Sequence, residues 1–222
     1  MNLRIFCTGF MIICWFAGVG KASCGTIVGH VVVREIRKPK RPTRYHLGPY
    51  RSARRVDSNR KNGPQDVVIS LEGEGSASVA RAGVSPLRMR QENETFIPHV
   101  LPIQVGTTVE FPNEDEFYHN VFSVMSGDRF DLGRYAKGSS AREVFEKPGI
   151  VVVRCEIHAG MKAYVVVLDT PYFTVPDETG AFALKNIPAG SYKLRAWHPS
   201  YGEQEQTVLV TESGSVSLDI AF

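Results

Sequence analysis

Cysteine is scarce and unevenly placed in this 222-residue chain: Cys7 and Cys14 fall in an apolar leader, Cys24 stands at its edge, and Cys155 is alone in everything that follows. A single thiol closes no disulfide within a folded unit, so the cross-linked frameworks of small secreted domains are excluded. Helix signals are missing too, since no apolar recurrence at three-to-four spacing is sustained outside the leader. The apolar run from Ile5 to Gly20, broken by Thr8, is 16 residues long, short of the roughly 20 that cross a bilayer as a helix. No nucleophile–base pair, pocket motif of paired carboxylates or phosphate loop is present. Catalysis is therefore not expected, and nothing aromatic-rich or motif-like supports nucleic-acid binding.

What is there begins with the leader. Arg4, the apolar run and the small residues Gly20, Ala22 and Ser23 follow the order of a secretory signal peptide, which we place at residues 1–24. Export to the periplasm is the expectation. Cys24 sits where a lipidated cysteine would sit, but Lys21 occupies a position that such sites fill with an apolar residue, so we do not favour an anchor.

Charge is concentrated. Residues 34–65 hold 11 Lys/Arg against Glu35 and Asp57, while the remainder carries 15 basic and 21 acidic residues. With several prolines and few aliphatic side chains, this stretch buries too little apolar surface to order itself, and we read 25–65 as one strand (Thr26–Val33) plus a basic flexible insertion. A solvated loop is its plain reading; weak contact with an anionic membrane is its functional one.

From Asp66 onward, short Val/Ile/Phe/Tyr runs alternate with Gly, Pro, Asn and Asp, as in an all-β chain of sandwich or barrel type. Strands are expected at 66–71, 96–99, 101–105, 107–111, 119–124, 142–146, 150–155 and 163–168, then at 172–175, 181–184, 192–197, 206–210 and 216–220.

The chemistry concentrates between two of these strands. Cys155-Glu-Ile-His158-Ala-Gly-Met161 sets a thiolate, an imidazole and a thioether three residues apart in a turn between VVVRC and AYVVVL. Two imidazoles and a thiolate in a plane, with a weak axial thioether, suit copper moving between its two oxidation states. The second imidazole has to come from elsewhere, and His119, opening an apolar strand 36 residues before Cys155, is the candidate.

At these residues the chain resembles the cupredoxins, the blue copper family. GTTVEFPNEDEFYHNVFS followed by FEKPGIVVVRCEIHAGM matches the family's order of strand, His-Asn, Pro-Gly strand and ligand loop, over about residues 95–168. The C-x-x-H-x-x-M loop is most like that of the amicyanins. The resemblance implies a Greek-key β-sandwich holding one type 1 copper, with His119 as the buried equatorial ligand, His158 the one near the surface, Cys155 the thiolate and Met161 the axial ligand. Asn120 would steady the ligand loop. Redox partner proteins (a dehydrogenase, cytochrome or oxidase) and single-electron transfer in the periplasm follow as expectations. A copper-handling or structural envelope protein is the alternative.

The segment PYFTVPDETGAFALKNIPAGSYKLRAWHP resembles the second half of a carboxypeptidase regulatory-like domain, a small transthyretin-like β-sandwich, through Asp177, Gly180, Phe182, Leu184, Ile187, Pro188, Gly190, Tyr192 and Leu194. GTIVGHVVV and DVVISLEG resemble its first half, which would make the copper unit an insertion. The other arrangement makes DVVISL the first strand of the copper unit. We assign 66–169 to the copper unit on that arrangement and 170–222 to the regulatory-like unit. His99, His198, His30 and His46 lack a clustered partner and are read as structural or exposed.

Overall fold

The structure is a computed structural model that describes residues 24–34, 63–73, 86–124 and 129–222. The leader, most of the basic stretch and the small-residue stretch after Gly73 lie outside the described residues. The rest is strand and turn, with one 3-10 turn at Pro64–Asp66. In chain order the strands are β1 (Cys24–Val32), β2 (Val68–Gly73), β3 (Leu87–Arg88), β4 (Arg90–Glu92), β5 (Thr95–Ile97) and β6 (Val100–Gln104). Then come β7 (Thr107–Pro112), β8 (His119–Ser123), β9 (Phe130–Tyr135), β10 (Ser140–Phe145), β11 (Gly149–Arg154) and β12 (Lys162–Leu168). The last are β13 (Phe173–Thr174), β14 (Ala181–Pro188), β15 (Gly190–His198), β16 (Gly202–Val210) and β17 (Ser215–Ala221). The chain is all-β, built as two sandwiches.

One sandwich sets the five-stranded sheet β6-β12-β11-β8-β9 against the three-stranded sheet β10-β7-β3. Alternation explains it: Val151 and Val153 of β11, Val165 and Val167 of β12, and Val109 and Phe111 of β7 point into one core with Phe96, Phe145 and Val121. The other sandwich pairs β14-β1-β17 with β13-β2-β15-β16. Its core is Ile27, Val31, Ile69, Leu71, Leu184, Tyr192, Leu194 and Ile220, among others.

This corrects the domain boundaries read from the sequence. Val68–Gly73 is not the first strand of the unit that carries His119 and Cys155; it lies between β13 and β15, with Val68 opposite Trp197 and Leu71 opposite Leu194. β1 also belongs there, antiparallel to β14 and parallel to β17. The unit containing His119 and Cys155 is thus inserted between β2 and β13 of the other. The run DVVISL is buried on both faces because both are covered. Ile69 and Leu71 face their own core, while Val68 meets Val100 and Val166 of the inserted unit in a third small cluster flanked by Tyr164, Leu168 and Trp197. β12 is covered on both faces in the same way, and it is the strand that leaves the ligand loop.

Candidate metal centre

β8 and β11 are antiparallel neighbours, with Arg154 opposite Phe122. The start of β8 and the end of β11 therefore fall at one end of the sheet. His119 opens β8 and Cys155 follows β11, so their side chains meet although 36 residues separate them. The loop from Cys155 to Met161 is closed by its own backbone: Met161 N donates to His158 O at 2.9 Å, and Cys155 N donates to Met161 O at 3.2 Å.

Three of the four residues singled out in the sequence bring donor atoms together. His119 Nδ1 and His158 Nδ1 each lie 3.8 Å from Cys155 Sγ and 3.1 Å from one another. A point about 2.1 Å from all three atoms lies in their plane. Bonds of a first-row ion to imidazole nitrogen and thiolate sulfur run roughly 2.0–2.3 Å. The donor set fits a single metal ion in trigonal coordination. Among the described residues, this is the one grouping of His, Cys, Asp or Glu with that convergence. Met161, 2% exposed, is buried in the same core cluster as Cys155 at the end of the loop. His119 is fully enclosed, whereas His158 is half-buried and faces the outside.

The electrostatics favour the ligand form of Cys155. Burial works to raise the Cys155 thiol, but hydrogen bonding with His119 and with the backbone of Asn120, His158 and Ile157 outweighs it and brings it down to about 6. A thiolate is the form that binds metal. Burial also opposes charge on His119, yet its contacts with Cys155 and Asp115 raise it above the usual imidazole value. Asp115 is held below the ordinary carboxylate range: desolvation pushes it up, and the Glu94 amide, His119 and the Asn93 amide together pull it down further.

A supporting layer surrounds these atoms. Asn120 accepts the Glu156 amide at 3.3 Å and donates to Asp131 at 2.7 Å, which ties β8 and β9 to the ligand loop. Asn113 Nδ2 donates to the carbonyls of Phe117 and Tyr135 at 2.9 and 3.0 Å. Phe117 lies against both ligand imidazoles, with ring centroids 5.2 Å from His119 and 5.3 Å from His158. Asp115, which is not among the candidates the sequence offers, is 2.7 Å from His119 Nε2. Its one sequence signal was a carboxylate four residues before the histidine, inside a run of acids that reads as a loop.

The remaining histidines do not join the centre. His30 is exposed, and His46 is outside the described residues. His99 and His198 are buried where the two units meet, 7% and 0% exposed.

Comparison with known proteins gives partial likenesses. Residues 152–222 match the carboxypeptidase regulatory-like domain family. No curated protein matches the chain. Among solved structures, a copper-containing nitrite reductase from Thermus scotoductus is 35% identical over 38% of this chain, with a TM-score of 0.36. The aligned region spans 22% of that enzyme's length. A purple cupredoxin from Nitrosopumilus maritimus is 26% identical over 37% of this chain and 99% of its own, with a TM-score of 0.34. A reduced amicyanin variant is 20% identical over 45% of this chain and 98% of its own, with a TM-score of 0.37.

Proposed function

We propose that this chain is a non-enzymatic, exported one-electron carrier that holds one copper ion on His119, Cys155 and His158, with Met161 as the weak axial ligand. The observation that carries this reading is the triangle of two imidazole nitrogens and one sulfur, spaced as a single ion would need. When bound, copper supplies a one-electron couple between Cu(II) and Cu(I), and two imidazoles, a thiolate and a thioether suit both states. The rest is done by the chain. The sheet fixes His119 and Cys155, and backbone hydrogen bonds hold the loop, so little of the ligand frame has to move with the electron. Burial of Cys155 and Met161 excludes water from the sulfur side. His158 stands nearest the surface beside Phe117 and is the natural entry point for an electron from a partner protein.

The leader supports action in the periplasm, with a dehydrogenase, cytochrome or oxidase as the kind of partner. The inserted arrangement favours a second reading, a copper-handling or structural envelope protein, because a second sandwich is more than a minimal shuttle needs.

A redox titration of the copper-loaded full chain with small mediators separates the two. The carrier reading predicts one copper and one reversible electron per chain, with no copper released over repeated cycles. Copper that leaves on oxidation, or stays reduced throughout, contradicts it.

A further inference from the structure

His119 has no water to partner its second ring nitrogen, because the side chain is fully enclosed. Nε2 instead meets Asp115 Oδ2 at 2.7 Å. An ionised carboxylate only accepts, so the hydrogen of the neutral ring sits on Nε2 and Nδ1 keeps its lone pair for the triangle. The opposite tautomer would place a hydrogen among the three donor atoms.

The carboxylate is itself held from a distance. Asn93 N donates to Oδ1 at 2.7 Å and Glu94 N donates to Oδ2 at 3.0 Å, while the Asp115 amide donates to Asn113 Oδ1 at 3.0 Å. Asn93 and Glu94 form the turn of the β4–β5 hairpin, and both take positive φ, 53° and 55°. Left-handed backbone at both central positions of a two-residue turn normally calls for Asn-Gly, and a glutamate there is unfavourable. Here that backbone aims two successive amides at one carboxylate. No Lys or Arg among the described residues pairs with Asp115, so the His119 ring is its ion-pair partner.

We propose that Asp115 is a positioning residue which fixes the His119 tautomer and biases the bound ion toward its oxidised state, with the Asn93–Glu94 turn holding Asp115 for that task. This rests on the copper reading above. A carboxylate on the far nitrogen strengthens an imidazole as a ligand. One-electron reduction, Cu(II) plus one electron from the titrant giving Cu(I), takes one positive charge from a centre whose fixed negative charge at Asp115 persists. The carboxylate therefore stabilises the oxidised form more than the reduced one.

The test compares the full-length wild type with Asp115→Asn, measuring Cu(II) and Cu(I) dissociation constants separately. The proposal predicts that the Cu(II)/Cu(I) affinity ratio falls at least tenfold in Asp115→Asn, a rise in potential of about 59 mV or more for one electron. Asp115→Ser removes the charge without setting an amide donor against Asn93 N–H and gives the same direction, and Asp115→Glu stays near wild type. Equal weakening of both ions would show a merely structural role and overturn the bias. A second readout needs no metal: nitrogen NMR of the copper-free wild type, at a pH where the His119 ring is neutral, places its hydrogen on Nε2. Finding it on Nδ1 overturns the assignment. A wild type that takes up no copper would defeat the carrier reading and the redox bias, and the NMR result would still decide the tautomer.

Discussion

His99 Nδ1, in the inserted unit, lies 3.1 Å from Asp66 Oδ1, in the unit that carries it. Both side chains are buried, Asp66 2% and His99 7% exposed. The pair sits beside an apolar seam: the His99 ring meets Tyr164 edge-on at 5.4 Å, and Tyr164 meets Trp197 at 5.5 Å. The two sandwiches thus share a polar clasp as well as the Val68–Val100–Val166 cluster.

Removing Asp66 leaves the His99 ring buried without its carboxylate partner. Asp66→Ala is expected to destabilise the protein by about 1–3 kcal/mol, the cost of an unsatisfied buried polar group. Replacing both partners with apolar residues, Asp66→Leu with His99→Leu, is expected to cost less than the sum of the single changes. Denaturant unfolding of Asp66→Ala, Asp66→Leu, His99→Leu and the double variant checks this, and additive losses in the Leu cycle would count against a direct pairing.

His198 gives the stability a pH dependence of known sign. Its Nδ1 accepts the Ser200 amide at 3.0 Å, and Nε2 is buried without a partner. Burial lowers its proton affinity below the ordinary value of 6.5; the Asp66 charge works against this and His99 adds to it. The unfolded chain takes up a proton near that ordinary value while the folded chain resists. This contribution is therefore complete above about pH 6.5 and is lost as pH falls below it. The midpoint of denaturant unfolding, followed from pH 8 to pH 5, is expected to fall more steeply for wild type than for His198→Asn, whose amide oxygen can accept from Ser200 and whose side chain does not protonate. Parallel curves would remove His198 from the explanation.

Asn120 spans the ligand loop and β9 without touching the three donor atoms through its side chain. Asn120→Ala is expected to weaken metal affinity by roughly 10–100-fold, as losses of such outer support do. The loop would lose the anchor at the Glu156 amide, next to Cys155. Competition titration against a chelator measures this; unchanged affinity would show that the backbone bonds within the loop suffice.

Three of the four candidate donors were legible because their order is local, while His119 comes from 36 residues away. Cys155, His158 and Met161 repeat every three residues, and soft donors in such a run have few other uses. The strand pattern was legible where one face is apolar. It failed for β3, β4 and β9, which are short or at a sheet edge and carry charged residues such as Arg88, Arg90, Asp131 and Arg134. The placement of β2 was not legible, because Val68–Leu71 is buried on both faces and its partners come about a hundred residues later. Asp115, Asp66 and His99 were invisible for a related reason: each matters through one partner that only the fold brings near.

The central claim is that His119, Cys155 and His158 hold one copper through a thiolate. A visible absorption spectrum of the exported full chain, with copper analysis on the same sample, tests it most directly. One copper per chain is expected, with an intense thiolate-to-Cu(II) band that Cys155→Ser abolishes. A colourless oxidised protein without stoichiometric copper, or a band that survives Cys155→Ser, would contradict it.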